Sequence, residues 1–590
     1  METQAAFGVA RSFSGRRWLF RGGDEAAARK LADAINISGT LARLLTARGV
    51  TEASAGDYLN PTLRNLLPEP RSLKDMDAAV TRVVAAIEAG EKIAVFGDYD
   101  VDGSTSAALV CEFLAHLGIA ARVYIPDRMS EGYGPSPAAM QTLRDEGVSL
   151  VITVDCGAAA IAALTIAREI GLDAVVLDHH RVEAAPPAIA HVNPNQPGDT
   201  SGLGHLCAAG VTFLFLVALN RALRESGWYE KRGIAEPDLR RLLDLVGLAT
   251  VCDVVPLTGV NRAFVRQGLA QMSKLERPGL AALARIAEIR PPFSPYHLGF
   301  VFGPRINAGG RVGRCSLGVD LLTAAGADSA EQFALQLDNH NRERQAIEKL
   351  ILEDAIALAA LQDNAPFLLV AKEGWHPGVV GIVAGRLKER FGKPAFVAGF
   401  EGGMGRGSAR SVAGIDIGAM IRAAREEKRI EAGGGHAMAA GFSLDAGQLE
   451  GFAAFLAGQF SGTGAALAAS SELEIDASVS PAGATAELVA EIAAAGPFGA
   501  GNAEPVLVLP DVRVVFADLV GKDHVRLRLA GGDGTRLDAI AFRAARTPLG
   551  EGLLAARGKA IHAAGRLKID EWNGKIRVQL QLEDAAPAQV

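Results

Sequence analysis

From about residue 90 to residue 180 the chain alternates short aliphatic and β-branched runs with segments of helical length: KIAVFG, STSAALVCEFLAHLG, ARVYIP, SLVITVD, AAAIAALTIAREIG and DAVVLD. Strand–helix–strand repetition of this kind predicts an α/β domain whose parallel sheet is covered by helices on both faces. In such open sheets ligands bind outside the carboxyl ends of the strands. The acidic residues fall at those ends. Asp98, Asp100 and Asp102 follow the first run, Asp155 closes SLVITVD, and Asp178, His179 and His180 close DAVVLDHH. A further segment, LLDLVGLATVCDVVPL, reads as a buried helix running into a short extended piece, with Asp253 at its end.

The three alternating acids before Gly103 open like a calcium loop. An EF-hand beginning at Asp98 needs a carboxylate at its twelfth position, which is Leu109, and a preceding helix, where the chain has KIAVFG. A merely solvated turn leaves three like charges that repel one another unless a cation sits between them. Asp98, Asp100, Asp102, Asp155, His179, His180 and Asp253 are therefore expected on one rim as a joint site. Carboxylates with imidazole and no thiolate suit manganese or magnesium. Two such ions placed together clamp the attacking and leaving oxygens of a phosphoryl centre.

A chain of 590 residues, 49% of them hydrophobic, is too long for one core and predicts two to four domains. The N-terminal segment and the parallel-sheet domain are assigned to 1–325, with a core at about 75–260. A segment free of proline and glycine, EQFALQLDNHNRERQAIEKLILEDAIALAALQ, predicts a linking helix over 326–364. PFLLVAKE, GVVGIVAGRLKERFG, KPAFVAGF and DIGAMIRAAREEKR predict a second α/β domain at 365–465. After the linker SGTGAALAASS the period changes to two, with Asn573-Gly574 as a hairpin turn, and 468–590 is expected to form a small OB-like β-barrel.

The net charge of −7 argues against a surface that attracts polyanions everywhere, so any nucleic-acid contact must be focused. Cys111, Cys156, Cys207, Cys252 and Cys315 show no C-x-x-C pairing, which suggests neither a disulfide scaffold nor a structural zinc and fits a reducing compartment. No apolar stretch has signal-peptide or bilayer-spanning character, and a soluble cytoplasmic protein is expected.

FGDYDVDGS, VITVDCG, LDHH and CDVVPL, in that order and spacing, closely resemble the four signature motifs of the DHH phosphoesterase superfamily. WHPGVVGIVAGRL, GRGSARS and GGGHAMAAGF resemble the DHH-associated domain, and with a barrel tail the combination is similar to the single-stranded-DNA-specific exonucleases of that superfamily. The resemblance implies a two-metal 5′ to 3′ exonuclease of single-stranded DNA. It further implies work in DNA repair and recombination, as a monomer, beside a RecQ-type helicase and a single-strand-binding protein. By position, Asp100 would hold a first manganese or magnesium ion and Asp102 a second, with Asp155 bridging. His179 and Asp253 would complete the second site, and His180 would face the scissile phosphate. Some superfamily members carry a histidine four residues before the acid that matches Asp100; here that position is Phe96, and Asp98 is the candidate to supply the missing ligand. Asp178 is read as a carboxylate that orients a neighbouring histidine.

Gly433, Gly434 and Gly435 form either a tight turn or a backbone that lets N–H groups approach a phosphate, with His436 alongside. Ser408 and Arg410 alternate, so on a strand they share a face and are placed to grip a phosphate together. Arg305, Asn307 and Arg311 of GPRINAGGR are further substrate-contact candidates. In the tail, Arg526 with Arg528 and Lys575 with Arg577 alternate along strands, with Trp572 nearby for stacking, and mark a candidate nucleic-acid path. His116, His297 and His562 fit no motif. Two alternatives stand beside the exonuclease: a DHH phosphodiesterase of short oligonucleotides, cyclic dinucleotides or pyrophosphate, against which the extra barrel argues, and a non-catalytic nucleic-acid-binding relative, against which the intact acids argue.

Overall fold

The computed structural model describes residues 4–128, 130–362, 365–461, 472–572 and 575–588, without the side chains of 571, 572, 575 and 576. The expected Asn573-Gly574 turn and most of the linker SGTGAALAASS lie outside the described residues. The chain divides into two compact units: Gly56–Arg344 with Gly496–Ala503, and the segment up to Ala55 with Gln345–Ala495 and the chain from Glu504 on.

The first unit is built on a five-stranded sheet of β1 (Ile93–Gly97), β2 (Arg122–Tyr124), β3 (Leu150–Val154), β4 (Asp173–Leu177) and β5 (Ala190–Val192). The strands run in the order β2-β1-β3-β4-β5 and every pair is parallel. All residues of β1 and β3 are buried, as the apolar runs require when helices cover both faces. The two faces follow the period of two. Ile93, Val95, Leu150, Ile152, Val175 and Leu177 pack with Val83, Phe113 and Phe215, which come from Met76–Ala89, α1 (Val101–His116) and α2 (Ala208–Glu225). Ala94, Phe96, Val151, Ala174 and Val176 pack on the other side with Met140, Leu143 and Leu164. Strand order reverses between β1 and β3, and a doubly wound sheet opens its ligand crevice at the carboxyl ends of that point.

In the second unit, β6 (Leu368–Glu373), β7 (Ala395–Glu401), β8 (Met404–Arg410), β9 (Ala432–His436) and β10 (Ala439–Asp445) form a sheet of order β9-β10-β8-β7-β6, parallel only between β6 and β7. The tail strands β11 (Leu507–Val520), β12 (His524–Ala530), β13 (Arg536–Ala541), β14 (Ala560–Trp572) and β15 (Lys575–Pro587) close into the expected barrel, because β11 pairs with both β12 and β14.

The compact units depart from the expected boundaries in three places. The segment before residue 56 belongs with the tail and not with the parallel-sheet domain: Arg17–Phe20 pairs in parallel with Glu472–Ile475, and buried Trp18 donates its Nε1–H to Asp584 Oδ2 at 2.9 Å. Residues 496–503, taken as part of the barrel, join the first unit, where the Leu257 N–H donates to the Ala500 carbonyl at 2.8 Å. The first unit extends to Arg344, so the linking helix, observed at Ala327–Ala360, belongs to both units. Neither tie leaves a periodic signal in the chain. Among the described residues no helix is long and apolar enough to cross a membrane, and the five cysteines are free.

Candidate metal centre

Sheet register assembles the site. Gly97 lies opposite Val154 and Val154 opposite Leu177, so the next residues, Asp98, Asp155 and Asp178, emerge side by side at the carboxyl rim. Asp100 and Asp102 are brought in by the start of α1. Asp100 is its N-cap and accepts from the Gly103 N–H at 3.0 Å. A Cβ on Gly103 would lie 2.5 Å from the Asp98 carbonyl oxygen, so the close turn between strand and helix requires glycine there. Asp102 is anchored at the N-terminus of α2, accepting from the Ala208 and Ala209 N–H groups at 2.7 and 2.8 Å. Asp253 comes from the C-cap of α3 (Leu243–Cys252), which corrects its expected place on an extended piece.

Three groups of donor atoms result, each lying within 4.8 Å of one another: Asp98, Asp100 and Asp155; Asp102, His179 and Asp253; and Asp155, His179 and His180. Asp155 and His179 are shared between groups. His179 Nε2 lies 3.4 Å from Asp155 and 3.9 Å from Asp102, and its Nδ1 lies 3.7 Å from Asp253. All seven residues expected on one rim are thus brought together, and the Phe96 ring is buried in the sheet.

The electrostatics are those of a cation site. Burial, and then Asp100, pushes the Asp98 carboxyl well above the ordinary range, and burial with the charge of Asp102 does the same to Asp155. Burial raises Asp102, and burial with the charges of Asp102 and Asp100 pushes Asp253 up to about 9. Buried Asp253 Oδ2 has no hydrogen-bond partner among the described residues. Divalent ions would remove this repulsion, and the oxygen and imidazole donors suit manganese or magnesium.

Asp178 lies just behind the centre. Its Oδ1 accepts from the His179 N–H at 2.7 Å, the His180 N–H at 3.2 Å and His180 Nδ1 at 2.7 Å, and its Oδ2 accepts from the Ala158 N–H at 3.0 Å. Burial opposes its charge, yet the bond and charge of His180 hold it down to about 2; burial likewise lowers His180, but Asp178 carries it up to about 9. The carboxylate thus holds Nδ1–H, which leaves Nε2 as the ring nitrogen not engaged by Asp178. Asp155 itself has φ of 59°, a left-handed conformation costing roughly 1–3 kcal/mol and tolerated best by Asp and Asn among non-glycine residues.

Sequence motifs did not expose three supporting residues. Asn193 Nδ2 donates to the His180 carbonyl at 2.8 Å, Asn195 Nδ2 to the His179 carbonyl at 2.7 Å, and Tyr133 Oη to the Asp155 carbonyl at 3.0 Å. The only signal was HVNPNQ, a polar turn directly after a buried strand. Asn195→Ala is expected to raise the manganese requirement or lower the rate about 10- to 100-fold, read from rate against metal concentration; an unchanged titration removes Asn195 from the support.

GPRINAGGR forms α4 (Gly303–Val312). Asn307 Oδ1 accepts from the Val101 N–H at 3.0 Å, and Arg305 pairs with Asp338 at 2.9 Å while donating to the Val301 carbonyl, so both side chains are engaged within the unit. Arg311 sits in the last turn.

In the second unit Ser408 and Arg410 share a face of β8, and Arg410 Nη1 donates to Ser408 Oγ at 2.8 Å. Burial lowers the Arg410 guanidinium from its usual value. A Cβ on Gly381, in α6 (Pro377–Phe391; α5 is Ala327–Ala360), would lie 3.1 Å from Ser408 Oγ and 3.2 Å from Arg410 Nη2. The glycine triplet is edge strand β9, which corrects the tight-turn alternative: Gly434 pairs with Gly441, and a Cβ on Gly435 would meet the Ala439 carbonyl oxygen at 2.4 Å. His436 ends that strand. In the barrel Arg526 lies over the Phe516 ring at 5.5 Å, Arg528 pairs with Asp538 at 2.8 Å, and Arg577 is exposed opposite Asp570. The side chains of Trp572 and Lys575 lie outside the described residues. His116, His297 and His562 make local bonds, to the Ala235 carbonyl, to Ser294 and with the Asp511 N–H.

Comparison with known proteins agrees with this arrangement. Residues 92–250 match the DHH family, N-terminal domain; 364–462 the DHHA1 domain; and 475–584 the RecJ OB domain. The chain is 34% identical to the single-stranded-DNA-specific exonuclease RecJ of Bacillus subtilis, over 97% of this chain and 71% of that protein. It is 34% identical to RecJ of Escherichia coli, over 93% of this chain and 96% of that one. The crystal structure of RecJ from Thermus thermophilus in complex with Mn2+ superposes with a TM-score of 0.78 at 28% identity, covering 96% of this chain and 78% of that one.

Proposed function

Because the chain belongs to the RecJ family of single-stranded-DNA-specific exonucleases, we propose that its metal centre hydrolyses the terminal phosphodiester of single-stranded DNA, working from the 5′ end toward the 3′ end. The observation that carries this is the convergence of three donor groups on Asp155 and His179 at the switch point of the sheet. When bound, manganese or magnesium supplies Lewis acidity toward water and toward the phosphoryl oxygens. Asp98 and Asp100 would hold one ion, Asp102, His179 and Asp253 the other, and Asp155 both. Asp178 holds Nδ1–H of His180, so that Nε2 is presented to a non-bridging oxygen of the scissile phosphate as a donor. No covalent intermediate is required.

In the cell this activity serves DNA repair and recombination in the cytoplasm, performed by a monomer with a RecQ-type helicase and a single-strand-binding protein as partners. The barrel, through Arg526, Arg528, Trp572, Lys575 and Arg577, guides the strand. Arg305, Asn307 and Arg311 contribute on the catalytic unit, and Gly434, Gly435 and His436 accompany Ser408 and Arg410 in holding the strand end. A terminal 5′ phosphate carries more charge than an internal one and suits a bidentate guanidinium. Arg410→Ala is accordingly expected to narrow the rate ratio between 5′-phosphorylated and 5′-hydroxyl strands by about tenfold, with the manganese requirement unchanged; an intact ratio moves the end-binding pocket elsewhere.

The activity is tested with end-labelled single-stranded DNA, duplex DNA and RNA, each with manganese, magnesium or chelator, and products resolved by size. Stepwise loss from the 5′ end of single-stranded DNA, abolished by chelator, is expected. Degradation from the 3′ end, or an equal rate on duplex, overturns the proposal.

A further inference from the structure

Among the described residues of the catalytic unit, three aromatic side chains are strongly exposed: Tyr133 (54%), Tyr296 (64%) and Phe300 (69%). Each lies on a segment that touches a metal-ligand segment. Tyr133 bonds the Asp155 carbonyl, and the other two belong to Pro295–Phe302, which leads into α4. This stretch is wedged against the end of α3. The Leu298 carbonyl accepts from Cys252 Sγ at 3.4 Å, a Cβ on Gly299 would lie 3.5 Å from Val251 Cγ1, and one on Gly303 would meet Cys252 Sγ at 2.6 Å. Cys252 directly precedes Asp253. Farther along α4, Gly310 packs on Tyr99 and Asn307 bonds the Val101 N–H, so the same element also braces the Asp98–Asp102 turn.

The stretch sorts its rings. Phe293 and Phe302 face inward, edge to face at 5.4 Å, and are buried. Tyr296 and Phe300 face outward and stack on each other, centroids 5.1 Å apart and planes at 23°. Leu298–Phe302 is a wide turn with i to i+5 bonding, a local irregularity common at functional sites. Val254, the residue after Asp253, is 70% exposed, with φ of 60°, an uncommon conformation for a β-branched residue. Three large apolar side chains are thus held in water on the two segments that meet at the Cys252–Leu298 contact, where a folded core would have buried them.

We propose that the Tyr296–Phe300 stack is a nucleobase platform, on which a base of the single strand rests within a few nucleotides of the phosphate at the metal centre. The proposal rests on the exonuclease reading above. Consecutive Cα atoms are about 3.8 Å apart, so the few residues separating Phe300 from Asp253 across the Cys252–Leu298 contact place them within roughly 15 Å. A strand delivered to the metals passes this surface. Base stacking on an aromatic face is tolerant of sequence, as an enzyme that consumes any strand requires, and it needs an unpaired base, which a duplex does not present.

The test uses the full-length enzyme, with binding of a fluorescent single strand measured in chelator and steady-state rates measured in manganese. Both positions are exposed, and Phe300→Ala or Tyr296→Ala is expected to raise Kd and KM about tenfold with kcat within about twofold of wild type. Phe300→Trp restores affinity and Phe300→Leu does not. A series of strands with one abasic nucleotide locates the contact: at one position wild type loses about tenfold in affinity, and Phe300→Ala loses nothing further there. Unchanged Kd and KM in the alanine variants, full restoration by leucine, or abasic losses that persist undiminished in Phe300→Ala overturn the platform. A wild-type protein that binds the strand but never shortens it overturns the exonuclease reading instead, while the binding arm still decides the platform.

Discussion

Asp155→Asn is expected to lower the turnover of single-stranded DNA by about a thousandfold or more at saturating manganese, with a folded protein that still binds the strand. Asp155 is the carboxylate shared by two donor groups, one with Asp98 and Asp100 and one with His179 and His180. A neutral amide cannot offset the charge of two cations, so both positions are weakened at once. Asparagine is the informative replacement because the backbone there is left-handed, with φ of 59°, which asparagine adopts readily and alanine does not. The metal-free variant is also relieved of the carboxylate that Asp98, Asp100, Asp102 and Asp253 all repel, so its melting temperature without metal is expected to equal or exceed that of wild type. Manganese should then raise the Tm of wild type, by about 2.7 kcal/mol of stabilisation at a hundredfold excess over Kd, and raise that of the variant much less. The check is a rate measurement with melting curves in chelator and in manganese. Wild-type rates, or an equal metal-induced shift in both proteins, would remove Asp155 from the bridging position.

Much of this centre was legible because its parts sit where chain periodicity changes. Asp98, Asp155 and Asp178 each follow a buried five-residue strand, and a parallel register with no offset carries them to one rim. Asp253 was legible as a participant but not in its setting, since a helix C-terminus and an extended end look alike after an apolar run. Asn193 and Asn195 were not legible: each acts through a backbone carbonyl, and asparagine in a turn is ordinarily explained by the turn itself. The bond from Arg305 to Asp338 was not legible, because Asp338 belongs to a helix expected only to link domains. The pairing of Arg17–Phe20 with Glu472–Ile475 left no trace, because a four-residue strand carries too little period to name a partner far along the chain. The Tyr296–Phe300 stack was hidden for the opposite reason, since aromatic residues spaced by four in an apolar stretch ordinarily mean a core.

His180→Ala is expected to reduce kcat by about a hundredfold to ten-thousandfold while the affinity for manganese changes less than about threefold. The two adjacent histidines are held differently. His179 lies among Asp102, Asp155 and Asp253, with its side chain 15% exposed, so both ring nitrogens face carboxylates that would share an ion with it. His180 is 36% exposed, has Nδ1 committed to Asp178 at 2.7 Å, and stands 4.0 Å from Asp155 through that same committed nitrogen. With Nδ1 committed to Asp178, Nε2 is the ring nitrogen left to donate to a phosphate held by bound metals, where that hydrogen bond would strengthen as charge builds on the non-bridging oxygen. Its removal should therefore slow the chemical step and spare metal binding. His180→Gln, which keeps a donor, should recover part of the loss, and Asp178→Asn, which frees the ring, should lower kcat with the same metal affinity. Manganese binding followed by electron paramagnetic resonance, set beside single-turnover rates, separates the roles. If His180→Ala loses manganese affinity in proportion to kcat, the third donor group is an occupied metal position and His180 is one of its ligands.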